Sequence, residues 1–567
     1  MEKNNQKISF ILKIMGIIFL FSTAVFAFNI APNYQKIYDF PKDIVRFVID
    51  DKDVTTDISG EFYIKDDVIM LSEEATEKFF ENIAVYYDEK YDTAIITSNK
   101  AVGKIKLGES KVNINGEDKE IAGSCLFSGE SLFVPISSLE EVTKVQIDYN
   151  EKVIATTPRA MSRVKIIMSG SKQKIKGYAE RFSIANGYTY EDEILYIFDT
   201  ENKKPEDYLT VRNARGDIGF MKFGEIDAKN ILYFNQATDI QMKEWIDDIK
   251  YSLTWEYAEN ITPDRSQDEK EKTIDIISPT WIYMSDNNGN IKDVTDEKYL
   301  KWAKENNYSI WPALKNDHIS IDDISVIMND MKLRENLINN ILEYAKKWEI
   351  QGINIDLEYM YMEDKEVFSE FVRELSAILR ANEYIVSIDV TVAGGSEKYS
   401  LCYDRTALAN AVDYIMLMAY DQYGSWSEKA GPNASLEWVE YNIKEMLSYE
   451  NVDKDKLFLC VPFYSRYWLT DATTGKVIKT YAVDMKTANS YLEQYKDVAV
   501  WDDAAGQYYI ESTSNGKTFK MWIDNNDALK EKIELINKYD LAGIASWRWG
   551  FEDKDTWELI DKTMDVQ

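Results

Sequence analysis

The sequence predicts a multidomain protein in which β-rich N-terminal domains precede a C-terminal (β/α)8 barrel with a small α+β insertion. The chain has 567 residues, which is too long for one hydrophobic core. Its first part consists of short alternating runs separated by Gly, Asn and Asp, a pattern typical of β-rich domains. From about residue 248, apolar strands alternate with amphipathic helices, which indicates a parallel barrel.

The composition is that of a folded, acidic protein. Hydrophobic residues make up 45% and charged residues 29%, so neither a disordered chain nor a multi-spanning membrane protein fits. The 98 acidic residues exceed the 66 basic ones and give a formal net charge of -32. Because this charge repels phosphates and anionic lipids, we expect no nucleic-acid partner.

Cysteine and histidine usage restricts metal, disulfide and triad chemistry. Cys125, Cys402 and Cys460 are an odd set at distant positions, and they predict neither a disulfide framework nor a thiolate metal cluster. A zinc site or a Ser-His-Asp triad would have to be built around His318 alone, which we interpret as a loop or barrel-rim residue. We therefore expect no metal and no cofactor.

Residues 1 to 30 have the layout of a signal peptide or membrane anchor. Three lysines precede an apolar run from Ile14 to Phe28, which includes a small-residue pattern ending at Ala27. The run is short for a bilayer span, which needs about 20 residues. We expect a secreted or cell-envelope protein, with attachment to the cytoplasmic membrane through residues 8 to 28 as the alternative.

Residues 45 to 158 predict a β-rich domain with a weak internal repeat. The stretch "IMLSEEATEKF…YYDEKYDTAIIT" is echoed by "VPISSLEEVT…IDYNEKVIATT", which indicates two similar half-units. This region resembles the copper amine oxidase N-terminal-like stalk domain of secreted bacterial wall proteins. It contains no histidine, so the resemblance implies no copper, and a spacer or wall-binding module is expected.

Residues 164 to 226 predict a small β-barrel. The run "YLTVRNARGDIGFMKFGEI" reads as a strand, a Gly-containing turn and a second strand. It is similar to a bacterial Src-homology (SH3-like) domain, and a plain β connector is the alternative.

Residues 248 to 562 predict the TIM barrel, with the α+β insertion at about residues 467 to 525 between the seventh and eighth strands. Helical runs such as "ENLINNILEYAKKW" lie between the strands. The eight strand candidates are "YSLTWEY" from 251, "IDIISPTWIYM" from 274, "SIWPAL" from 309, "GINIDLEYM" from 352, "YIVSIDVTV" from 384, "DYIMLMAYD" from 413, "LFLCVPFYS" from 457 and "GIASWRWG" from 543.

The fourth strand candidate ends in two carboxylates. Alternate residues of a strand share a face, so Asn354, Asp356 and Glu358 are expected to project into the barrel, with Ile353 and Ile355 facing the helices. Active sites of this fold lie at the carboxyl ends of the strands. Two close acids in a desolvated site cannot both ionise cheaply, so Asp356 would help to keep Glu358 protonated as a general acid. A strand that ends in solvated acids is the alternative.

The same stretch resembles the DxxDxDxE signature of glycoside hydrolase family 18. Gln351, Asn354, Asp356 and Glu358 occupy its four acid positions, and the last two match. The resemblance implies that Glu358 is the catalytic acid and then base, and that Asp356 orients the substrate's acetamido group. Asparagine at position 354 also occurs in the spore-cortex and peptidoglycan-acting branch of this family.

Three further motifs resemble the family at the expected strands: "MAYD" at the sixth, "VPFYSR" at the seventh and "ASWRWG" at the eighth. They imply that Tyr420 bonds the acetamide oxygen and that Trp547 lies under the reacting sugar. Trp549 and Trp426 would suit the same aromatic platform. The implied substrate-binding residues are Asn354, Met418, Asp421, Tyr464, Arg466 and Trp547.

The resemblance implies a retaining, substrate-assisted glycosidase that cleaves β-linked N-acetylglucosamine glycans. Both chitin and peptidoglycan carry the required 2-acetamido group, and the signal layout, the stalk-like domain and Asn354 favour peptidoglycan. A non-catalytic glycan-binding protein and a structural envelope protein are the alternatives. The presence of both Asp356 and Glu358 favours the enzyme.

Overall fold

The computed structural model describes residues 45–80, 82–149, 152–156, 164–168, 172–179, 183–198, 204–226, 228–233 and 250–564. The signal peptide or anchor predicted at residues 1 to 30 lies outside this part of the chain. Within it, no helix combines the length and apolar character needed to cross a membrane. The chain divides into two compact units, the first containing residues up to 83, 107–112 and 120–243, and the second residues 84–106, 113–119 and 244–567.

Strand–helix pairs and a separate antiparallel sheet make up the first unit. Strand Val68–Ser72 leads into helix Glu73–Phe79, and strand Ser131–Pro135 leads into helix Ile136–Thr143. The two strands pair antiparallel, with Val134 opposite Leu71, so the repeat seen in the sequence corresponds to a repeated structural motif. These two strands lie in a four-stranded sheet with Phe62–Lys65 and Leu126–Ser128. A second four-stranded sheet contains Arg46–Ile49, Lys52–Asp53, Gln146–Tyr149 and Lys152–Thr156.

A seven-stranded antiparallel sheet follows, with its core around Ile175, Leu195 and Val211. The predicted pair of strands around a Gly-containing turn is present as Tyr208–Asn213 and Ile218–Lys222. In spatial order the strands are Ala185–Thr189, Gln173–Lys176, Ile218–Lys222, Tyr208–Asn213, Ile194–Ile197, Val164–Met168 and Ala228–Tyr233. The SH3-like interpretation of this region stays a prediction.

The second unit contains the predicted eight-stranded parallel barrel. The first strand pairs with both the second and the eighth, with Leu253 opposite Ile276 and Ala545, and this pairing closes the barrel. The second and third strands are each split into two segments. In chain order the strands are Tyr251–Glu256, Ile276–Pro279 with Ile282–Met284, Ser309–Ile310 with Ala313–Lys315, Gly352–Asp356, Ile385–Thr391, Tyr414–Met418, Leu457–Pro462 and Gly543–Trp547.

Helices surround the barrel and bury their apolar faces against it. Ile353 and Ile355 of the fourth strand face this outer layer, as predicted from alternation. Leu253, Met416 and Cys460 instead fill the barrel interior. The helices are Glu297–Glu305, Ile321–Met328, Met331–Trp348, Lys365–Ala381, Arg405–Ala411, Leu436–Ser448, Asn526–Tyr539 and Thr556–Thr563, with short helical turns at Met362–Asp364, Glu397–Leu401 and Lys454–Lys456.

An α+β insertion follows the seventh barrel strand, where the sequence predicted it. Helix Met485–Gln494 packs on a five-stranded antiparallel sheet through Ala488, Ile510 and Met521. The sheet begins three residues before the predicted boundary, because strand Tyr464–Asp471 continues directly from the barrel. Its strands, in spatial order, are Val477–Asp484, Tyr464–Asp471, Lys517–Ile523, Gln507–Ser514 and Val500–Asp502.

A second five-stranded sheet, formed from part of the stalk-like region, packs on two barrel helices. The buried guanidinium of Arg334 lies 2.9 Å from Glu374 and 3.9 Å from Asp88 of this sheet. Thr97 donates a 3.2 Å hydrogen bond to Glu370. Residues 84–106 therefore belong to the same compact unit as the barrel. The strands are Ala84–Asp88, Thr93–Thr97, Val102–Lys106, Lys111–Ile114 and Glu117–Glu120.

Candidate active site

Glu358 lies two residues beyond the end of the fourth strand, in the loop that follows it. Asn316, from the loop after the third strand, fixes its main chain. The Asn316 side chain donates a 2.6 Å hydrogen bond to the Glu358 carbonyl and accepts a 3.1 Å hydrogen bond from the Glu358 N–H. The prediction that Asn354, Asp356 and Glu358 share one strand face needs correction for Glu358, because the strand ends at Asp356 and a hydrogen-bonded loop holds the glutamate.

Asp356 forms a buried ion pair with Lys315. The Lys315 Nζ lies 2.6 Å from Asp356 Oδ2 and 3.5 Å from Asp317 Oδ2. The register of the third and fourth strands places Lys315 directly opposite Asp356, so backbone pairing sets this contact. The other carboxylate oxygen, Asp356 Oδ1, is buried and has no hydrogen-bond partner within the described part of the chain. It is therefore a buried acceptor in need of a donor.

Asn354 is buried beneath this pair and uses all of its hydrogen-bonding capacity. Its Oδ1 accepts hydrogen bonds from Trp255 Nε1 (2.9 Å) and Ser278 Oγ (3.2 Å), and its Nδ2 donates to Ser387 Oγ (3.0 Å) and Asp389 Oδ1 (2.7 Å). An amide supplies two donors and two acceptor sites, and all four are used here. Asn354 thus holds the barrel interior rather than opening into the cleft.

The environment of Glu358 keeps its carboxyl group protonated at neutral pH. Burial, followed by the negative charges of Asp356, Asp317 and Asp421, raises the pKa of Glu358 to about 8, against the opposing effect of Lys315. Its neutral form can therefore donate a proton near pH 7.

Asp389, on the fifth strand, is a second acid of the barrel interior with a perturbed pKa. Burial and the nearby charge of Asp356 raise the pKa of Asp389 well above its usual value, although the hydrogen bond from Asn354 favours ionisation. In the described part of the chain, the barrel interior therefore contains the ion pair of Lys315 with Asp356 next to acids that resist ionisation.

Aromatic side chains pack in the inner core next to Asn354. Trp547 and Tyr420 are partly buried and pack against the same inner core, with the Trp547 ring centre 6.0 Å from that of Trp255. Met418 is buried in this core as well. Burial raises the pKa of Tyr420 well above its usual value, so its hydroxyl stays neutral and can donate a hydrogen bond.

Asp421 follows Tyr420 and is held by strand Tyr464–Asp471 of the insertion sheet. The Tyr464 hydroxyl donates a 2.9 Å hydrogen bond to Asp421 Oδ1, and Arg466 Nη2 lies 3.6 Å from the same oxygen. The Asp421 N–H donates to Asn433 Oδ1 (3.1 Å). The structure therefore brings Asp421, Tyr464 and Arg466 together as one polar group.

Trp549 and Trp426, which were expected to join Trp547 in the aromatic platform, have surroundings that differ from those of Trp547. Trp549 is only 5% exposed and packs in the outer core, with the Arg265 guanidinium 3.8 Å from its ring centre, so its expected place in the platform is wrong. It is two residues from Trp547, but the eighth strand ends at Trp547 and alternation no longer applies. Trp426 is 71% exposed in the loop after the sixth strand.

Sequence reasoning missed Lys315, Asn316 and Asp389. Each is polar and lies in or directly after a predicted strand, and this placement was the available signal. His318 lies in the loop after the third strand, as expected, with its Nε2 3.1 Å from Glu259 Oε1 and its ring against Tyr283.

The fold and the site define a parallel (β/α)8 barrel with a glutamate of raised pKa at the carboxyl end of the fourth strand. The family model "Glycosyl hydrolases family 18" matches residues 236–552. The chain belongs to this family. A second model, "Copper amine oxidase N-terminal domain", matches residues 48–156.

Curated relatives carry glycosidase names. An uncharacterized glycosylase, YvbX, of Bacillus subtilis (strain 168) is 23% identical over 293 residues, which cover 50% of this chain and 83% of the relative. The cortical fragment-lytic enzyme of Bacillus anthracis is 24% identical over 253 residues, covering 44% of this chain and 57% of the relative. The alignment thus spans little more than half the length of the cortical enzyme.

Solved structures show the same fold. The spore cortex-lytic enzyme SleL from Bacillus megaterium QM B1551 matches with a TM-score of 0.50 and 18% identity, covering 56% of this chain and 75% of that one. A chitinase from Chromobacterium violaceum ATCC 12472 matches with the same TM-score and identity, covering 56% of this chain and 100% of that one.

Proposed function

We propose that this glycosidase cleaves β-linked N-acetylglucosamine glycans, with Glu358 as general acid and then base. The observation that carries the proposal is the raised pKa of Glu358, about 8, next to the buried ion pair of Asp356 and Lys315. A glutamate that stays protonated at neutral pH can donate a proton to a glycosidic oxygen.

The proposed mechanism is retaining and substrate-assisted. The acetamido oxygen of the substrate attacks the anomeric carbon while Glu358 protonates the leaving oxygen, and the glycosidic bond breaks. Water then opens the resulting oxazolinium ion, and the Glu358 carboxylate removes a proton from that water. This reaction requires no metal or cofactor.

The buried polar groups around the pocket suit an acetamido group. Asp356 Oδ1 is an acceptor without a partner in the described structure and would accept the acetamide N–H. The neutral hydroxyl of Tyr420 would donate to the acetamide oxygen. Trp547 is partly buried against the inner core and would stack on the apolar face of the sugar ring. These three contacts would fix the nucleophilic oxygen near the anomeric carbon.

Peptidoglycan is the proposed substrate, with chitin as the alternative. The cortical fragment-lytic relatives, the stalk-like domain and Asn354 favour it. We further propose that the protein acts outside the cytoplasm, either released or held at the cytoplasmic membrane by residues 8 to 28, because of the signal layout in the sequence.

The test compares the release of reducing ends from peptidoglycan and from chitin oligosaccharides by wild type, Glu358→Gln and Glu343→Gln. Glu343 is exposed on helix Met331–Trp348 and serves as the matched control. We expect Glu358→Gln to lower kcat by about 10²- to 10⁴-fold, as for loss of a general acid, with the control unaffected. Equal release by wild type and Glu358→Gln would refute the assignment.

Two product measurements test the finer parts of the proposal. Mass spectrometry of the new reducing end should identify N-acetylglucosamine, and a different reducing-end sugar would contradict the proposed specificity. A thiazoline that mimics the cyclised acetamide should inhibit the active enzyme. If the enzyme is active and the thiazoline does not bind, the substrate-assisted route is wrong while the role of Glu358 stands.

A further inference from the structure

Three tyrosines, two exposed and one half-buried, lie beside Glu358 and are not used in the mechanism above. We call Tyr359, Tyr361 and Tyr399 the tyrosine ledge. Tyr359 directly follows Glu358, and its ring centre is 4.9 Å from that of Tyr399, with the two residues 41% and 49% exposed. Paired exposed rings of this kind offer an apolar surface on which a pyranose can stack.

Main-chain and side-chain hydrogen bonds hold the ledge in place. The Met360 N–H donates a 3.0 Å hydrogen bond to the Lys398 carbonyl, which ties the loop after the fourth strand to the loop after the fifth. The Tyr361 hydroxyl donates to Asp322 (2.7 Å). Burial, followed by the charge of Glu358, raises the pKa of Tyr399, so the Tyr399 hydroxyl lies within electrostatic reach of the proposed acid. The ledge is therefore a preformed surface next to Glu358.

Lys398 adds a positive charge to the tyrosine ledge. Its Nζ is 5.3 Å from the ring centre of Tyr359 and 4.9 Å from that of Tyr361. In the described ranges, no carboxylate oxygen lies within 4.0 Å of this amine, whereas Lys315 is paired with Asp356. Because the chain has a net charge of -32, a cation on aromatic faces provides a local site for an anionic group.

We propose that the tyrosine ledge binds the leaving-group side of the glycan and that Lys398 pairs with a carboxylate carried by a substituent of that glycan. Lys398 would then select peptide-substituted peptidoglycan over chitin, which carries no carboxylate. This inference rests on the proposed function and names the residue that determines its substrate class. A charge-assisted contact at a partly exposed site should be worth about tenfold in kcat/KM.

The test uses three soluble substrates of equal glycan length: a chitin oligosaccharide, a peptidoglycan fragment with free peptide carboxylates, and the same fragment with those carboxylates amidated. We expect Lys398→Met to lower kcat/KM about tenfold on the carboxylated fragment and less than about twofold on the other two. Lys398→Arg should restore most of the loss, since it keeps the charge. Equal losses on all three substrates, or no loss on any, would overturn the proposal.

A ledge variant separates stacking from charge recognition. Tyr399→Ala should lower kcat/KM on charged and uncharged glycans alike, because stacking does not depend on the carboxylate. If Tyr399→Ala has no effect on any of the three substrates, the ledge does not bind glycan. Unchanged thermal unfolding of both variants would show that the losses do not come from misfolding.

Binding measurements distinguish failure of this inference from failure of the proposed function. The dissociation constants of the three glycans for Glu358→Gln and for Glu358→Gln/Lys398→Met are compared by calorimetry, which needs no turnover. We expect about tenfold weaker binding of the carboxylated fragment alone in the double variant. An active wild type with identical constants for both variants would refute the role of Lys398 and leave the function intact. An inactive wild type with the expected binding difference would refute the proposed function and leave the role of Lys398 intact.

Discussion

Replacement of Glu358 by glutamine should remove catalysis and at the same time stabilise the protein at alkaline pH. The folded protein raises the pKa of this carboxyl from 4.5 to about 8, mainly by burial and then by the charge of Asp356. In the unfolded chain the carboxyl regains its ordinary pKa. Between these two pH values the folded state binds more protons than the unfolded state, so the free energy of unfolding falls as the pH rises.

The size of the effect follows from the pKa difference. Each pH unit is worth about 1.36 kcal/mol, so ionising Glu358 in the folded protein costs up to about 5 kcal/mol. Glutamine cannot ionise and avoids this cost. We therefore expect the free energies of unfolding of wild type and Glu358→Gln to be similar at about pH 5 and to differ by up to about 5 kcal/mol at about pH 9, with the variant more stable.

Tryptophan fluorescence during urea unfolding measures the difference in free energy of unfolding between Glu358→Gln and wild type for the unit that contains the barrel. All 14 tryptophans of the chain lie at or after residue 245, so their emission reports the unit that contains the barrel. Exposed Glu343→Gln should show no pH-dependent gain. If the difference between Glu358→Gln and wild type does not change from about pH 5 to about pH 9, Glu358 ionises normally and the assignment of a protonated acid fails.

Three other substitutions test the surrounding network. Lys315→Met leaves Asp356 buried without its partner, and we expect a loss of about 3 to 5 kcal/mol in urea unfolding together with loss of glycan cleavage; retained activity would contradict the role of the pair. Asn354→Asp removes the donor to Asp389, and this variant should lose about 1 to 3 kcal/mol, more at alkaline than at acid pH, so a pH-independent loss would count against coupled acids. Arg334→Met breaks the buried pair with Glu374, and it should destabilise the tryptophan-reported unit by about 3 to 5 kcal/mol without changing KM.

The predictable part of the site followed from the geometry of a single strand. Alternation placed Asn354 and Asp356 inside the barrel and Ile353 outside it, and the structure confirms this. The partners of these residues depend on which strands become neighbours and in which register. Lys315 faces Asp356 because of one specific pairing between two strands that are separated by 36 intervening residues, 316 to 351. A sequence pattern does not contain that register.

The packing of the 84–106 sheet on the barrel was equally hidden in the sequence. Alternating runs predicted that this region is β-rich, but alternation does not say which surface its strands cover. The sequence of helix Met331–Trp348 did indicate a partner for this helix, because it places Arg334 on an otherwise apolar face. The structure shows Arg334 fully buried there, where a charged side chain needs a partner. Glu374 and Asp88 are those partners, and they come from a neighbouring helix and from the sheet.

In the proposed mechanism, the charges around Glu358 would let one site hold an acid neutral and still stabilise a cation. Asp356 raises the pKa of Glu358 and would also face the positive charge that develops on a cyclising acetamide. Lys315 opposes both effects, but it bonds only Asp356 Oδ2 and leaves Oδ1 without a partner in the described structure. A single carboxylate can therefore have one oxygen committed to its ion pair and the other available to the substrate. The ion pair fixes the orientation of Asp356, and the free oxygen would provide the electrostatic stabilisation that a substrate-assisted reaction needs.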